Sequence, residues 1–197
     1  MFSQRTTTAL LNGLHQPGNA AAWNELDGRC RPIMIAVCRR MGLGHAEAED
    51  AVQSALTAFY ESYREGLYER ARGRLSVYII TILRSRAIDA RRRAVLRKEM
   101  NQPIEFIWQH SESDIERFWL QERQSQILRQ AIQLLRDEGV DEQMMTAFEL
   151  YGIRGVSADH VASQLNMTRD QVYQAKHRIT RRLQPVVARV EELYEDV

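Results

Sequence analysis

A chain of 197 residues with 44% hydrophobic and 27% charged content is ordinary for a globular protein and long enough for one large or two small cores. It holds no apolar run able to span a bilayer, and its start, MFSQRTTTALL, lacks the apolar core of a signal peptide, so a cytoplasmic protein without membrane association is expected. Cys30 and Cys38 read as buried free thiols rather than a disulfide or a metal site, and the net charge of +1 points to no partner by itself.

Charge is nevertheless sorted along the chain. Arg64–Lys98 holds 11 Arg/Lys against 3 acids, a net of +8, whereas Asn101–Glu122 holds 1 Arg against 5 acids, a net of −4. Residues 1–18 form a polar tail in which Leu10, Leu11 and Leu14 predict a short helix before Pro17-Gly18. From Asn19 the positions Trp23, Leu26, Cys30, Met34, Val37 and Met41 recur at helical spacing. Pro32 interrupts them, which predicts two helices or a kink around Gly28–Pro32.

His45–Tyr60 is an amphipathic helix with Ala48, Ala51, Val52, Ala55, Leu56 and Phe59 on one stripe. Glu49, Gln53 and Thr57 stand four apart on another face, with Asp50 and Ser54 beside them. Carboxylates at Glu47, Glu49 and Asp50 suit the positive end of the helix dipole. That preference leaves the continuation of the stripe through Gln53 unexplained.

Glu61–Gly73 reads as a loop or short turn. Leu75–Lys98 then reads as a helix with an apolar root, Val77, Ile79, Ile80, Ile82 and Leu83, and a cationic shaft of Arg84, Arg86, Arg91, Arg92, Arg93, Arg97 and Lys98 around Asp89. Such a helix suits a polyanion, nucleic acid first, although a solvated basic face has the same composition. Asp89, three residues after Arg86 and four before Arg93, can tether the shaft; an exposed tether of about 0.3–0.5 kcal/mol serves orientation more than stability. Tyr68 and Tyr78 offer flat surfaces to unpaired bases, and Tyr78 is equally consistent with a core aromatic.

Beyond Pro103 the segment that holds Phe106 and Trp108 has no clear period. Ser113-x-x-Glu116 is a capping-box pattern that predicts a helix from near Asp114, continuing through Ile127, Leu128, Ala131, Leu134 and Leu135 to Glu138-Gly139. A further helix is expected over Asp141–Tyr151. Ser157 starts a helix with Val161, Ala162 and Leu165; Asn166-Met167 turns; Thr168, with Gln171 as a second capping box, starts another with Val172, Ala175, Ile179 and Leu183. Asn166 tolerates the left-handed conformation such a turn favours. No segment alternates as a strand does.

The expected fold is all-α: two small helical domains joined by an acidic linker, the C-terminal one a helix-turn-helix. Residues 1–18 would be the tail, 19–98 the first domain, 99–124 the linker and 125–197 the second domain. The outer face of the last helix carries Arg169, Gln171, Tyr173, Gln174, His177, Arg178 and Arg181, and Thr168–Leu183 holds 5 Arg/Lys against 1 acid. Residues early in such a helix can reach base edges in the major groove, and later arginines can meet phosphates.

The order E-D-x-x-Q (Glu49, Asp50, Gln53), I-x-x-R-x-x-x-x-D-x-x-R-R (Ile80–Arg93), acidic linker and C-terminal helix-turn-helix resembles a bacterial RNA polymerase sigma factor, in particular the extracytoplasmic-function (ECF) group. The resemblance covers Trp23–Arg93 (region 2) and Leu134–Leu183 (region 4). It implies that Glu49, Asp50 and Gln53 dock on the β′ clamp helices of core RNA polymerase. It implies that Arg84, Asp89, Arg92 and Arg93 read and melt the −10 promoter element, with Tyr78 a candidate base contact. Arg169, Tyr173, Gln174, His177 and Arg178 would read the −35 element as duplex. The implied protein is not an enzyme and needs no cofactor or metal; its partners would be core polymerase, including the β flap, promoter DNA and an anti-sigma factor, and it would be monomeric when free.

The chain departs from that pattern at Leu75 and Tyr78, where the family carries F-x-x-W-L, at Ser85 in place of Asn, and at His160 in place of the Glu of a capping box. About 40 residues between the domains leave no room for a full region 3. A helix-turn-helix regulator acting without polymerase would explain the C-terminal pattern but not the docking stripe followed by the arginine shaft. A metal-dependent nuclease or phosphotransferase built on Glu47, Glu49 and Asp50 would need a second carboxylate cluster or a His partner, and the sequence offers neither nearby.

Overall fold

Apolar residues at helical spacing become buried helix faces throughout the computed structural model, which describes residues 7–14, 16, 19–69, 73–96 and 110–195. In chain order the helices are α1 (Thr7–Leu14), α2 (Ala20–Arg40), α3 (His45–Arg64), α4 (Leu75–Leu96), α5 (Glu112–Asp137), α6 (Glu142–Ala147), α7 (Ala158–Leu165) and α8 (Arg169–Leu193). A π-helical turn, Phe148–Ile153, follows α6. The fold is all-α, and its contacts divide into two compact units, Met1–Gln126 with Leu193–Val197, and Ile127–Glu192. Pro17-Gly18, the end of the basic shaft at Arg97 and Lys98, Pro103, Phe106 and Trp108 lie outside the described residues.

In the first unit α1 and α3 pack on α2, and α3 packs on α4. Leu10, Leu11 and Leu14 of the short leading helix are buried, as their spacing predicts. α2 corrects the expectation of two separate helices: it is one helix of 21 residues with Pro32 inside. Proline removes one i→i−4 hydrogen bond and crowds the carbonyl of residue 28. Here that residue is an exposed glycine with no side chain to add to the crowding. Leu26, Cys30, Ile33, Met34, Val37 and Cys38 keep one buried stripe running through the site. The i,i+4 pairs Glu25–Arg29 and Asp27–Arg31 bridge the turn before the proline.

α3 ends at Arg64, four residues later than the amphipathic pattern suggests, so the expected loop from Glu61 is in part helical. Its added turn is held by Tyr63, whose hydroxyl donates to the Leu11 carbonyl at 2.9 Å. Around it Trp23, Phe59, Tyr63, Tyr68 and Tyr78 make successive edge and tilted ring contacts with centroids 5.3–6.5 Å apart. The start of α5 also differs. Its reciprocal cap joins Ser111 and Asp114, the Ser111 N–H donating to Asp114 Oδ2 at 3.0 Å and the Asp114 N–H to Ser111 Oγ at 3.2 Å. The Ser113–Glu116 pairing expected from the sequence is two residues too late. Those bonds hold the Asp114 carboxyl below the ordinary carboxylate range.

The second unit is built on small residues. Ala147, Ala158, Val161, Ala162, Val172 and Ala175 form its buried cluster, with Met144, Leu150, Tyr151, Val156, Leu165 and Met167 packed around it. Asp141 caps α6 through the Met144 N–H at 2.7 Å. The helix expected over Asp141–Tyr151 instead widens at Phe148 into the π-helical turn. Gly152 accommodates it: a Cβ there would lie 3.1 Å from the Phe148 ring. Asn166 takes the left-handed conformation at φ 54°, ψ 45°, as the turn requires. Thr168 and Gln171 close both bonds of their capping box, at 2.7 and 3.2 Å. α8 continues past Leu183, through Pro185, to Leu193.

Cys30 and Cys38 are free and buried, and burial pushes both thiols up to about 12. Maleimide or disulfide reagents at pH 8 should therefore leave both thiols unmodified in the folded protein and label both in urea, by mass spectrometry. Because the unfolded thiols titrate near 9.0 and the folded ones near 12, the native state binds more protons across that window. Stability should fall as pH rises from 9 toward 12.

Candidate functional site

Local capping chemistry sorts the acids at the start of α3. The Glu47 carboxylate accepts the Gly44 N–H at 2.8 Å and so terminates the helix; glycine itself has no side chain to return the bond. Glu49, Asp50 and Gln53 lie past that cap and are exposed, on the face opposite Ala48, Ala51, Val52 and Ala55. Glu49 also lies 3.4 Å from His45 Nε2. The dipole accounts for Glu47, and the exposed stripe remains as a surface.

α4 divides its arginines by helical position. Leu83, Ala87, Ala90 and Ala94 carry the buried stripe onward from Leu75, Ile79 and Ile80. Arg91, eight residues after Leu83 and four after Ala87, falls on that stripe and is fully buried, its Nη1 donating to the Gly42 carbonyl at 2.8 Å. This corrects the reading of Arg91 as part of the cationic shaft; the helical period, had it been applied to the charged half, marks the residue as inward. Arg92 and Arg93 are exposed, and Arg84 and Asp89 are half-buried. Arg84 pairs with Glu112 at the start of α5, at 2.9 Å. Arg93 Nε donates to the Asp89 backbone carbonyl at 3.4 Å, so the expected tether runs through the main chain.

Tyr78 stands between the two roles open to it. Its ring packs at 5.3 Å from Tyr68 and 6.1 Å from Phe59, and it also lines a cavity of about 220 Å³ with Leu67, Tyr68, Val77 and Thr81. Leu67 and Val77 are 59% and 45% exposed at that cavity; Leu67 is not singled out by the sequence reading, and Val77, expected in the buried apolar root, turns outward instead. Also unforeseen is Arg31, which is forked on Asp27 and reaches Gln53 from 22 residues away in sequence. No local pattern could have paired Arg31 with Gln53.

In the second unit Arg169, Tyr173, Gln174, His177 and Arg178 all lie exposed along α8. Arg169 Nε is 3.1 Å from Asp159 Oδ1, and the hydrogen bond that Arg169 donates to Tyr173, together with that carboxylate, raises its pKa further. Tyr173 meets Tyr151 edge-on at 5.5 Å, with Lys176 over the Tyr151 ring at 5.0 Å. His177, Arg178, Arg181, Arg182 and Arg189 line a groove of about 740 Å³ together with Glu138. No group of His, Cys, Asp and Glu able to hold a metal ion occurs among the described residues.

An exposed E-D-x-x-Q stripe on α3, packed against a helix with outward arginines, is the geometry of residues 26–97. They match the family model described as Sigma-70 region 2. The segment is a sigma-70 region 2, the mark of the general sigma-70 family. The match over this segment supports a sigma factor that binds core RNA polymerase and directs promoter recognition, a non-catalytic role. No curated protein and no solved structure matches the chain. No helix among the described residues is long and apolar enough to cross a membrane.

The division of the arginines predicts opposite stability effects. Arg91→Ala should cost about 2–4 kcal/mol in urea unfolding, because a buried group and its hydrogen bond are both lost. Arg93→Ala should stay within about 0.5 kcal/mol of the parent.

Proposed function

We propose that this sigma factor is of the ECF type and that its two units divide promoter recognition between them. Glu49, Asp50 and Gln53 contact the β′ clamp helices of core polymerase. The observation that carries this is the separation of Glu47, consumed by the cap, from the exposed stripe beyond it. Exposed carboxylates beyond the helix cap suit a basic partner face.

Arg84, Asp89, Arg92 and Arg93 then meet the −10 element as a melted strand. Arg92 and Arg93 supply exposed positive charge for phosphates. Tyr78, Leu67 and Val77 wall the cavity where an unstacked base would be received, since flat and apolar surfaces take over the stacking a base loses on melting. The α7–α8 pair acts as a helix-turn-helix on the −35 duplex, with Arg169, Tyr173 and Gln174 near the start of α8 placed for base edges and His177 and Arg178 for the backbone. The acidic stretch 99–124, whose residues 112–124 belong to α5, lies along the RNA path, the β flap receives the second unit, and an anti-sigma factor controls a protein that is cytoplasmic and monomeric when free.

Asp50→Arg tests the docking face. It should weaken binding to core polymerase at least tenfold and abolish run-off transcription, because a like charge is set against a basic surface. Retention of full run-off activity by that variant would overturn the assignment. Arg178→Ala should weaken binding to −35 duplex and reduce the slope of log affinity against log salt by about 1, measured by anisotropy.

A further inference from the structure

Gln53 does not stand alone on its face. Its Oε1 accepts from Arg31 Nη2 at 2.9 Å. Arg31 is in turn forked on Asp27, with Nε 2.9 Å from Oδ2 and Nη2 2.7 Å from Oδ1. A fork of this kind fixes the guanidinium plane as a single contact cannot. The pair is part-exposed, 32% for Arg31 and 38% for Asp27, so it sits at the rim of the same surface as the stripe.

An arginine can only donate hydrogen bonds, whereas a glutamine amide has one accepting and one donating end. With its oxygen committed to Arg31, the Gln53 amide turns its two N–H donors outward. Glu49 and Asp50 beside it can only accept when ionised. We propose that Arg31 is a positioning residue of the docking stripe, which orients Gln53 so that this position presents donors next to two carboxylates. The proposal rests on the reading of Glu49, Asp50 and Gln53 as the polymerase contact. It specifies the partner surface: an acceptor, either a carboxylate or a main-chain carbonyl, opposite Gln53, flanked by cations opposite Glu49 and Asp50. Without Arg31 the amide can present either end, and binding must then select the productive one.

Competition binding of the full-length protein to core RNA polymerase tests this with Arg31→Met, Arg31→Lys, Gln53→Ala, Gln53→Glu and the double variant Arg31→Met/Gln53→Ala. Arg31→Met keeps the stem and loses the fork, and should weaken binding about two- to fivefold, with Arg31→Lys recovering part of the loss. Gln53→Ala should weaken it by about two- to tenfold. Within the Gln53→Ala background, Arg31→Met should have no further effect. Gln53→Glu keeps the acceptor for Arg31 but presents no outward donor, and should bind no better than Gln53→Ala. Equal losses from Arg31→Met in both backgrounds, or no loss where Gln53→Ala weakens binding, overturn the positioning role and leave the docking face intact. Should Arg31→Met fail to fold, Gln53→Glu decides alone, and unchanged or tighter binding overturns the proposal. If Gln53→Ala and Asp50→Arg both leave core affinity unchanged, the docking reading itself fails, and the role of Arg31 with it.

Discussion

The packing of α3 against α4 is the constraint on which the first unit depends. Both helices turn small residues toward buried faces: Ala48, Ala51 and Ala55 on one, Ala87, Ala90 and Ala94 on the other. Alanine lets helix axes approach closely and leaves little side-chain freedom at the contact. The exposed acids of α3 and the outward arginines of α4 are therefore held on opposite sides of one tight interface. Arg91 adds a second constraint from inside α4, since its guanidinium holds the Gly42 carbonyl in the turn that leads into α3. The turn that leads into α3 and the helix that carries the outward arginines share one hydrogen bond.

Charge in this unit is informative only after each group has been assigned its duty. Glu47 serves a cap, Glu25 and Asp27 brace arginines along α2, and Arg29 and Arg91 donate to backbone carbonyls from buried positions. Arg123 does the same for the Tyr194 carbonyl, which anchors the C-terminal residues of the unit. A buried guanidinium satisfied by main-chain oxygens orders the chain and offers nothing to a polyanion. Of the E-D-x-x-Q residues and the α4 arginines, what stays exposed is a smaller set than the sequence counts suggest: Glu49, Asp50 and Gln53 on α3, and Arg86, Arg92 and Arg93 on α4.

Much of the fold was legible because helical period and caps are local. The two small-residue helices, the left-handed Asn166 and the Thr168–Gln171 box all follow from neighbours within four positions. The misreadings have equally physical origins. Pro32 carries a local cost that long-range burial of the α2 stripe outweighs. The Ser111–Asp114 cap begins two residues before the pattern with the better-known residue types. Arg91 was counted by charge when its position on the helix decided its environment. The Arg31–Gln53 bond joins two helices across 22 residues, and only their packing brings it into being.

In the second unit the start of α8 is fixed twice, by the left-handed Asn166 that ends α7 and by the reciprocal Thr168–Gln171 bonds that begin the next helix. Loss of the α7 capping glutamate removes less than it first suggests, since Ser157 Oγ still accepts the His160 N–H at 3.3 Å and only the return bond is missing. With both helix starts held, the orientation of Arg169, Tyr173 and Gln174 is set by backbone rather than by chance rotamers. Arg169 is further tied to Asp159 and Tyr173, and Tyr173 rests on Tyr151. A side chain already ordered loses less entropy on binding, but any new partner must displace the Asp159 bond. Arg169 is thus held in one geometry by its neighbours, whereas His177 and Arg178 stand exposed further along α8.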